Sequence, residues 1–184
     1  MEISDATGAD AEAVAALARA SWHAAYDDLL GPETVEATVD EWYDTESLRA
    51  GIGETAAAEA ACFLVAEDDG ELVGYANAGP ARDWESDPDE PDAFFSRLYV
   101  APEHWGEGVG TELTAAVARR LRDAGHERVW LEVFDANERG RGFYESVGFE
   151  RIGSVTETFG DTDVTTLHLS APLSDVVEAT PSVE

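Results

Sequence analysis

HWGEGVGTEL, residues 104–113, sets glycines at 106, 108 and 110 between an apolar run, FFSRLYV (94–100), and a stretch whose Leu113, Val117 and Leu121 recur every four residues. The apolar run predicts a strand stopped by Ala101-Pro102, and the recurrence predicts a helix with one apolar face. Strand, glycine turn and helix together suit an anion: glycines leave peptide N–H groups unshielded, and a helix dipole is positive at its start. Yet the chain carries 40 acidic residues against 11 arginines and has no lysine, a formal net charge of −29. An anion held here would rest largely on donors without formal charge.

Two nucleotide fingerprints fail on particular residues. A Walker A loop needs a lysine on the β- and γ-phosphates, and the chain has none; the same absence removes Schiff-base chemistry. A Rossmann turn counted from Gly106 and Gly108 needs a third glycine at 111, which is Thr111, and its acidic ribose binder falls near Arg128. A dinucleotide-binding module therefore finds little support.

Working outward, ATGADAEAVAALARASWHAAYDDLL (6–30) has helical spacing, with Asp10 placed to cap it. After Gly31-Pro32 one or two helical pieces are expected, ending at Gly51 or Gly53. ACFLVAEDDGELVGYANAG (61–79) reads as a hairpin around Asp68-Asp69-Gly70, and PARDWESDPDEPDA (80–93) as a surface loop. RVWLEVF (128–134) is a strand, NERGRGFYESVG (137–148) a short helix closed by Gly148, and two strands follow. The order predicts a mixed sheet with right-handed crossovers and helices on both faces.

At 184 residues with 44% hydrophobic content, the chain fits one domain. It has no apolar run long enough to span a bilayer, and MEISDATGAD lacks the apolar segment of a secretory signal, so a soluble cytoplasmic protein with no membrane partner is expected. Cys62 lies in an apolar run and is expected to pack as a small hydrophobe. His23, His104, His126 and His168 are scattered, so no metal site is expected. The acids are spread over every segment, as in proteins of salt-accumulating organisms, and no basic patch offers itself to nucleic acid.

LYVAPEHWGEGVGTEL (98–113) resembles the acyl-CoA pyrophosphate loop of the GCN5-related N-acetyltransferases: Arg or Gln, two positions, Gly, one position, Gly or Ala. Gly108 and Gly110 match the family's glycines. LEVFDANERGRGFYESVGFE (131–150) resembles the family's second signature, a strand, an asparagine, a short helix, Phe-Tyr and Gly-Phe. The resemblance implies an α/β (α+β) fold in one domain, residues 1–172, and the segment from 173 to 184 reads as a flexible, frayed acidic tail. It also implies a mostly antiparallel sheet of six to seven strands with a central splayed pair, and acetyl-CoA as co-substrate without a metal. The expected reaction is direct attack on the thioester by a primary amine, of a small molecule or a peptide N-terminus. A non-catalytic acyl-CoA-binding module is the alternative, and a homodimer through the last strands is common in the family.

The resemblance also assigns residues. A bulged strand would set Leu98, Tyr99 and Val100 beside the pantetheine arm. Backbone N–H groups from Gly106 through Glu107, Gly108, Val109 and Gly110 to Thr111 would hold the pyrophosphate. Asn137 would contact the amide arm, and Tyr144 would stand near the thioester sulfur. Trp105 departs from the pattern, standing where the family has Arg or Gln; Arg139 and Arg141 are expected to restore cationic charge, with Arg141 the better placed for a phosphate. Trp22 and Tyr26, with His23 between them, would border the acceptor cleft, and the acids from Asp83 to Asp92 could meet an ammonium group.

The chemistry needs a base and an acid. A lysine-like amine with a pKa of about 10.4 is neutral in fewer than about one molecule in a thousand at pH 7, whereas an α-amino group is roughly a tenth neutral. Glu132 is the expected base, by resemblance to ribosomal-protein N-terminal acetyltransferases. Tyr144 is the expected acid for a leaving thiolate whose free pKa is about 8.5.

Overall fold

The computed structural model describes residues 1–81, 93–159 and 161–180. The acidic run from Asp83 to Asp92 lies outside the described residues. Seven strands, β1 (Glu2–Asp5), β2 (Cys62–Asp68), β3 (Glu71–Pro80), β4 (Ala93–Val100), β5 (Arg128–Phe134), β6 (Glu150–Phe159) and β7 (Thr162–Pro172), make one sheet in the order β1-β2-β3-β4-β5-β7-β6. Every neighbouring pair is antiparallel except β4 and β5. The helices are α1 (Ala11–Leu30), α2 (Pro32–Trp42), α3 (Thr45–Ala56), α4 (Val109–Asp123), α5 (Glu138–Ser146) and α6 (Leu173–Ala179).

Each sheet face buries its own core. On one face α4, α5 and α6 cover Leu113, Leu121, Leu131 and Leu169; on the other α1, α2 and α3 cover Val39, Ile52, Val65 and Tyr75. The periodicity of α1 explains its place, since Val14, Leu17, Ala18 and Trp22 form the buried stripe. Asp10 does hold the N-cap position, but its carboxylate turns away from the helix and accepts from Thr7 N and Oγ1 at 2.7 and 2.9 Å. The region after Pro32 splits where Asp44 caps α3 by accepting from Ser47 N at 2.9 Å. That helix runs past Gly51 and Gly53 because Leu48 and Ile52 hold it to the core.

One expectation is corrected: the tail is not frayed from residue 173. Leu173 and Val176, three positions apart, are buried in the core beneath α4, and their fixed spacing makes Leu173–Ala179 a helix.

The parallel pair decides the site. β4 and β5 face each other only at Ala93↔Val129 and Phe94↔Trp130, and from there the strands separate. On the β3 side the register passes from Ala78↔Phe95 to Asn77↔Arg97, so Ser96 is an extra residue in β4. Such a bulge bends and twists its strand, and it turns β4 away from β5 where the chain approaches the glycine turn.

Candidate active site

The open edge of β4 is the first component. Ala101 N donates to Val73 O at 2.9 Å, so Gly74 and Val100 face each other as a pair that exchanges no hydrogen bonds. By antiparallel alternation the main-chain polar groups of Leu98 and Val100 point away from β3 into the splay, while those of Tyr99 are used by Tyr75. Leu98 and Val100 thus offer backbone to the cleft, and Tyr99 does not. The Val100 carbonyl is partly engaged, accepting from Ser21 Oγ at 3.2 Å and Trp105 Nε1 at 2.8 Å.

The glycine turn is the second. Gly108 has φ 91° and Gly106 φ 85°, and both face open space where a side chain would stand. Left-handed backbone here lets the chain turn tightly into α4. The first helical bond is Glu112 N to Gly108 O, and no side chain caps the helix. The N–H groups of Gly106, Gly108, Val109, Gly110 and Thr111 therefore have no backbone acceptor among the described residues, five donors at the positive end of a 15-residue helix. These donors fit a pyrophosphate. Glu107 brings a carboxylate to the turn, but it is held by His104 Nδ1 at 2.7 Å, and that contact raises the histidine's pKa above its ordinary value.

The signature around Asn137 is the third. Asn137 caps α5, accepting from Gly140 N at 2.8 Å, and its Nδ2 donates to Tyr26 Oη at 2.9 Å. This bond joins α1 to α5 at the cleft and makes Tyr26, expected on the acceptor side, a neighbour of the cofactor signature. Burial pushes the Tyr26 phenol up to about 12, against the pull of the Asn137 bond. Tyr144 packs edge-on to Phe143 and Phe149, and its hydroxyl has no hydrogen-bond partner among the described residues. Burial, then the nearby Tyr26, raises its pKa far above that of a free phenol, so it holds its proton throughout the physiological range. Arg141 donates from Nη1 to Asp135 Oδ1 at 2.5 Å, and its buried Nε has no hydrogen-bond partner among the described residues. Arg139 instead lies over the Trp105 ring, 4.5 Å from its centroid.

The β5 edge is the fourth. Leu131 and Val133 enter the α4 core, which leaves Glu132 on the opposite face with Phe134. Glu132 is solvent-exposed, and its Oε1 stands 3.2 Å from His168 Nε2, directly across from it on β7. Phe134 continues into an aromatic wall formed with Trp22, Tyr26 and Phe159. Trp22 itself is core: 4% exposed, its indole N–H donates to Tyr43 Oη at 3.2 Å and Tyr99 Oη at 2.9 Å. A groove of about 490 Å³ lies at the outer end of this wall, with Glu33, Glu41, Trp42 and Phe159 among its lining.

The structure therefore brings Leu98, Val100, the turn amides, Asn137, Tyr144 and Tyr26 to the splay and sets Glu132 along its far edge. It adds His168, Ser21 and Tyr43, none singled out by the sequence. His168 could have been found only through the β5–β7 register, because pairing across strands has no short-range sequence signal.

A splayed parallel pair feeding a glycine turn at a helix start defines the GCN5-related acetyltransferase class of fold. The acetyltransferase (GNAT) family model matches residues 20–149, and the chain belongs to that family as an N-acetyltransferase. An uncharacterised N-acetyltransferase of Mycobacterium tuberculosis is 30% identical over 151 residues, 82% of this chain and 90% of the relative. PaiA N-acetyltransferase of Thermoplasma acidophilum, solved with coenzyme A, superposes with a TM-score of 0.77 at 24% identity, covering 93% of this chain and 98% of the other. A putative acetyltransferase of Salmonella typhimurium, solved with acetyl-CoA, gives 0.71 at 22% identity, covering 94% of both chains. Among the described residues, no helix is long and apolar enough to cross a membrane.

Proposed function

We propose that this enzyme transfers the acetyl group of acetyl-CoA to a primary amine by direct attack in a ternary complex, with no covalent enzyme intermediate. The observation that carries the proposal is that the β4 edge, which turns the main chain of Leu98 and Val100 away from β3, leads into the free amides of the glycine turn. An extended pantetheine arm would add to that edge like a strand, and the pyrophosphate would rest on the turn.

Tyr144 is the proposed acid. A phenol this hard to ionise protonates a thiolate readily only when the thiolate is also desolvated, and the two would share one apolar pocket. Glu132 is the proposed base, removing the amine's proton through a water, with His168 Nε2 3.2 Å from the carboxylate on the next strand. The acceptor would arrive along the aromatic wall from the groove, where Glu33 and Glu41 suit an ammonium group and Trp42 and Phe159 its alkyl or aromatic substituent.

Thiol release from acetyl-CoA across a panel of polyamines, amino acids, aminoglycosides and peptide N-termini tests this, in dilute buffer and in molar KCl. Amine-dependent release is the expected result. Tight CoA binding without it would leave a non-catalytic acyl-CoA-binding module instead.

A further inference from the structure

We infer that Arg139 is the cation this chain sets against a phosphate group of its acyl carrier, and that Trp105 is its platform. The inference rests on the acetyl-CoA proposal and says which side chain does the work the loop lacks at position 105. Trp105 heads the glycine turn and is fixed there, its Nε1 donating to the Val100 carbonyl at 2.8 Å. That bond locks the indole between the end of β4 and the start of the turn. The guanidinium of Arg139 lies on the ring, its central carbon 4.5 Å from the centroid.

The stack has a chemical consequence. A guanidinium on an aromatic face uses its π surface and leaves its in-plane N–H donors free, oriented, and with less rotamer entropy to lose when a phosphate arrives. A guanidinium held by a carboxylate has part of that donor set committed, as Arg141 commits Nη1 to Asp135. In a chain with 40 acidic residues, Arg19, Arg120 and Arg141 are each bound by at least one carboxylate. Arg139, exposed in the first turn of α5, has no carboxylate partner among the described residues. The side of α5 is also correct: the Phe143 ring of the same helix lies beside Gly110 in the first turn of α4, so α5 packs against the start of α4.

The geometry sets Arg139 beside the turn through Trp105, whereas Arg141, the residue expected at a phosphate, is tied to Asp135 through Nη1. It also gives Trp105 a purpose: a residue that cannot contact phosphate as arginine does instead holds an arginine from another element.

Calorimetric titration of the full-length chain with CoA and with 3′-dephospho-CoA tests this without turnover. Arg139→Gln should weaken CoA binding about tenfold or more, the usual size of a lost charge-assisted contact. Trp105→Leu should weaken it to a similar degree, and the double variant should lose little beyond either single change, because the two act as one unit. Trp105→Phe, which keeps an aromatic platform, should lose less than Trp105→Leu. If Arg139→Gln and wild type bind 3′-dephospho-CoA equally, the contact is to the 3′-phosphate; if the deficit persists, it is to the pyrophosphate. Equal CoA affinity of wild type and Arg139→Gln overturns the inference alone, whereas a wild-type chain that binds no CoA overturns the acetyl-CoA proposal and the inference together. Arg139 is exposed, so thermal melts of Arg139→Gln should match wild type and separate a binding loss from misfolding.

Discussion

The two edges of the splay present different kinds of chemistry. On β4 and its turn the groups that face the cleft are main-chain: the polar groups of Leu98 and Val100 and the amides at the start of α4. On β5 they are side chains, Glu132 with His168 across from it and Phe134 in the aromatic wall. A backbone site depends on conformation and tolerates change in side chains that do not touch it. A side-chain site depends on register and fails residue by residue. Donor binding should thus be set by the β4 edge and the chemical step by the β5 edge together with Tyr144.

The largest expected effect tests the chemical half. Tyr144→Phe removes a hydroxyl with no partner among the described residues and leaves the ring contacts to Phe143 and Phe149 in place, so the fold should persist. Loss of a general acid should lower kcat about 100-fold with little change in donor KM, read by steady-state thiol release. A change confined to donor KM would make Tyr144 part of the binding edge and undo the division.

Glu132→Gln should follow, with about a tenfold loss near neutral pH. Activity rises with pH as the base loses its proton. Without Glu132 the ascending limb of kcat/KM should move toward the pKa of the acceptor amine, and an unshifted limb would place the base elsewhere. Gly108→Ala probes the other edge. At φ 91° a Cβ meets no neighbour but costs about 1–2 kcal/mol of backbone strain, which the turn relieves by shifting its amides. CoA affinity should fall about tenfold while kcat at saturating donor stays near wild type.

The same contrast explains what the sequence could reveal. The turn was legible because alternate glycines between a strand and an amphipathic helix are a local signal, and backbone chemistry needs nothing more. The order of strands and helices, the hairpin at Asp69-Gly70 and the short helix after Asn137 were legible for the same reason. The bulge at Ser96 has no local signal of its own, and it entered only through likeness to a family. The pairing of Glu132 with His168 was not legible, since it depends on registering strands 36 positions apart along the chain, 168 minus 132. Trp22 was expected at the acceptor cleft, but a Trp–Tyr pair at helical spacing looks the same lining a pocket or filling a core. Only the partners of its indole N–H, Tyr43 and Tyr99, distinguish the two. Arg141 was ranked above Arg139 for a phosphate, and the contacts that separate them, Asp135 on Arg141 and Trp105 under Arg139, have no local signal.

The smallest effect sharpens the comparison, because the backbone edge carries one titrating pair. His104 donates to Glu107 within the turn, and its pKa is raised first by that hydrogen bond and then, after a smaller opposing desolvation, by the charges of Glu107, Glu103 and Asp68. A raised histidine keeps its proton above its free pKa of about 6.5 and loses it as pH rises through the folded value. Below that value the imidazolium offsets Glu107 beside the phosphate site; above it the carboxylate stands unbalanced and donor affinity falls. The pair is exposed, so the change should be about twofold in CoA Kd at low ionic strength and should vanish at 1 M salt, where the Debye length is about 3 Å. His104→Gln should remove this portion of the pH dependence from Kd and leave the pH dependence of kcat untouched. Parallel Kd profiles for wild type and His104→Gln from pH 6 to 9 would show that the turn binds through its amides alone.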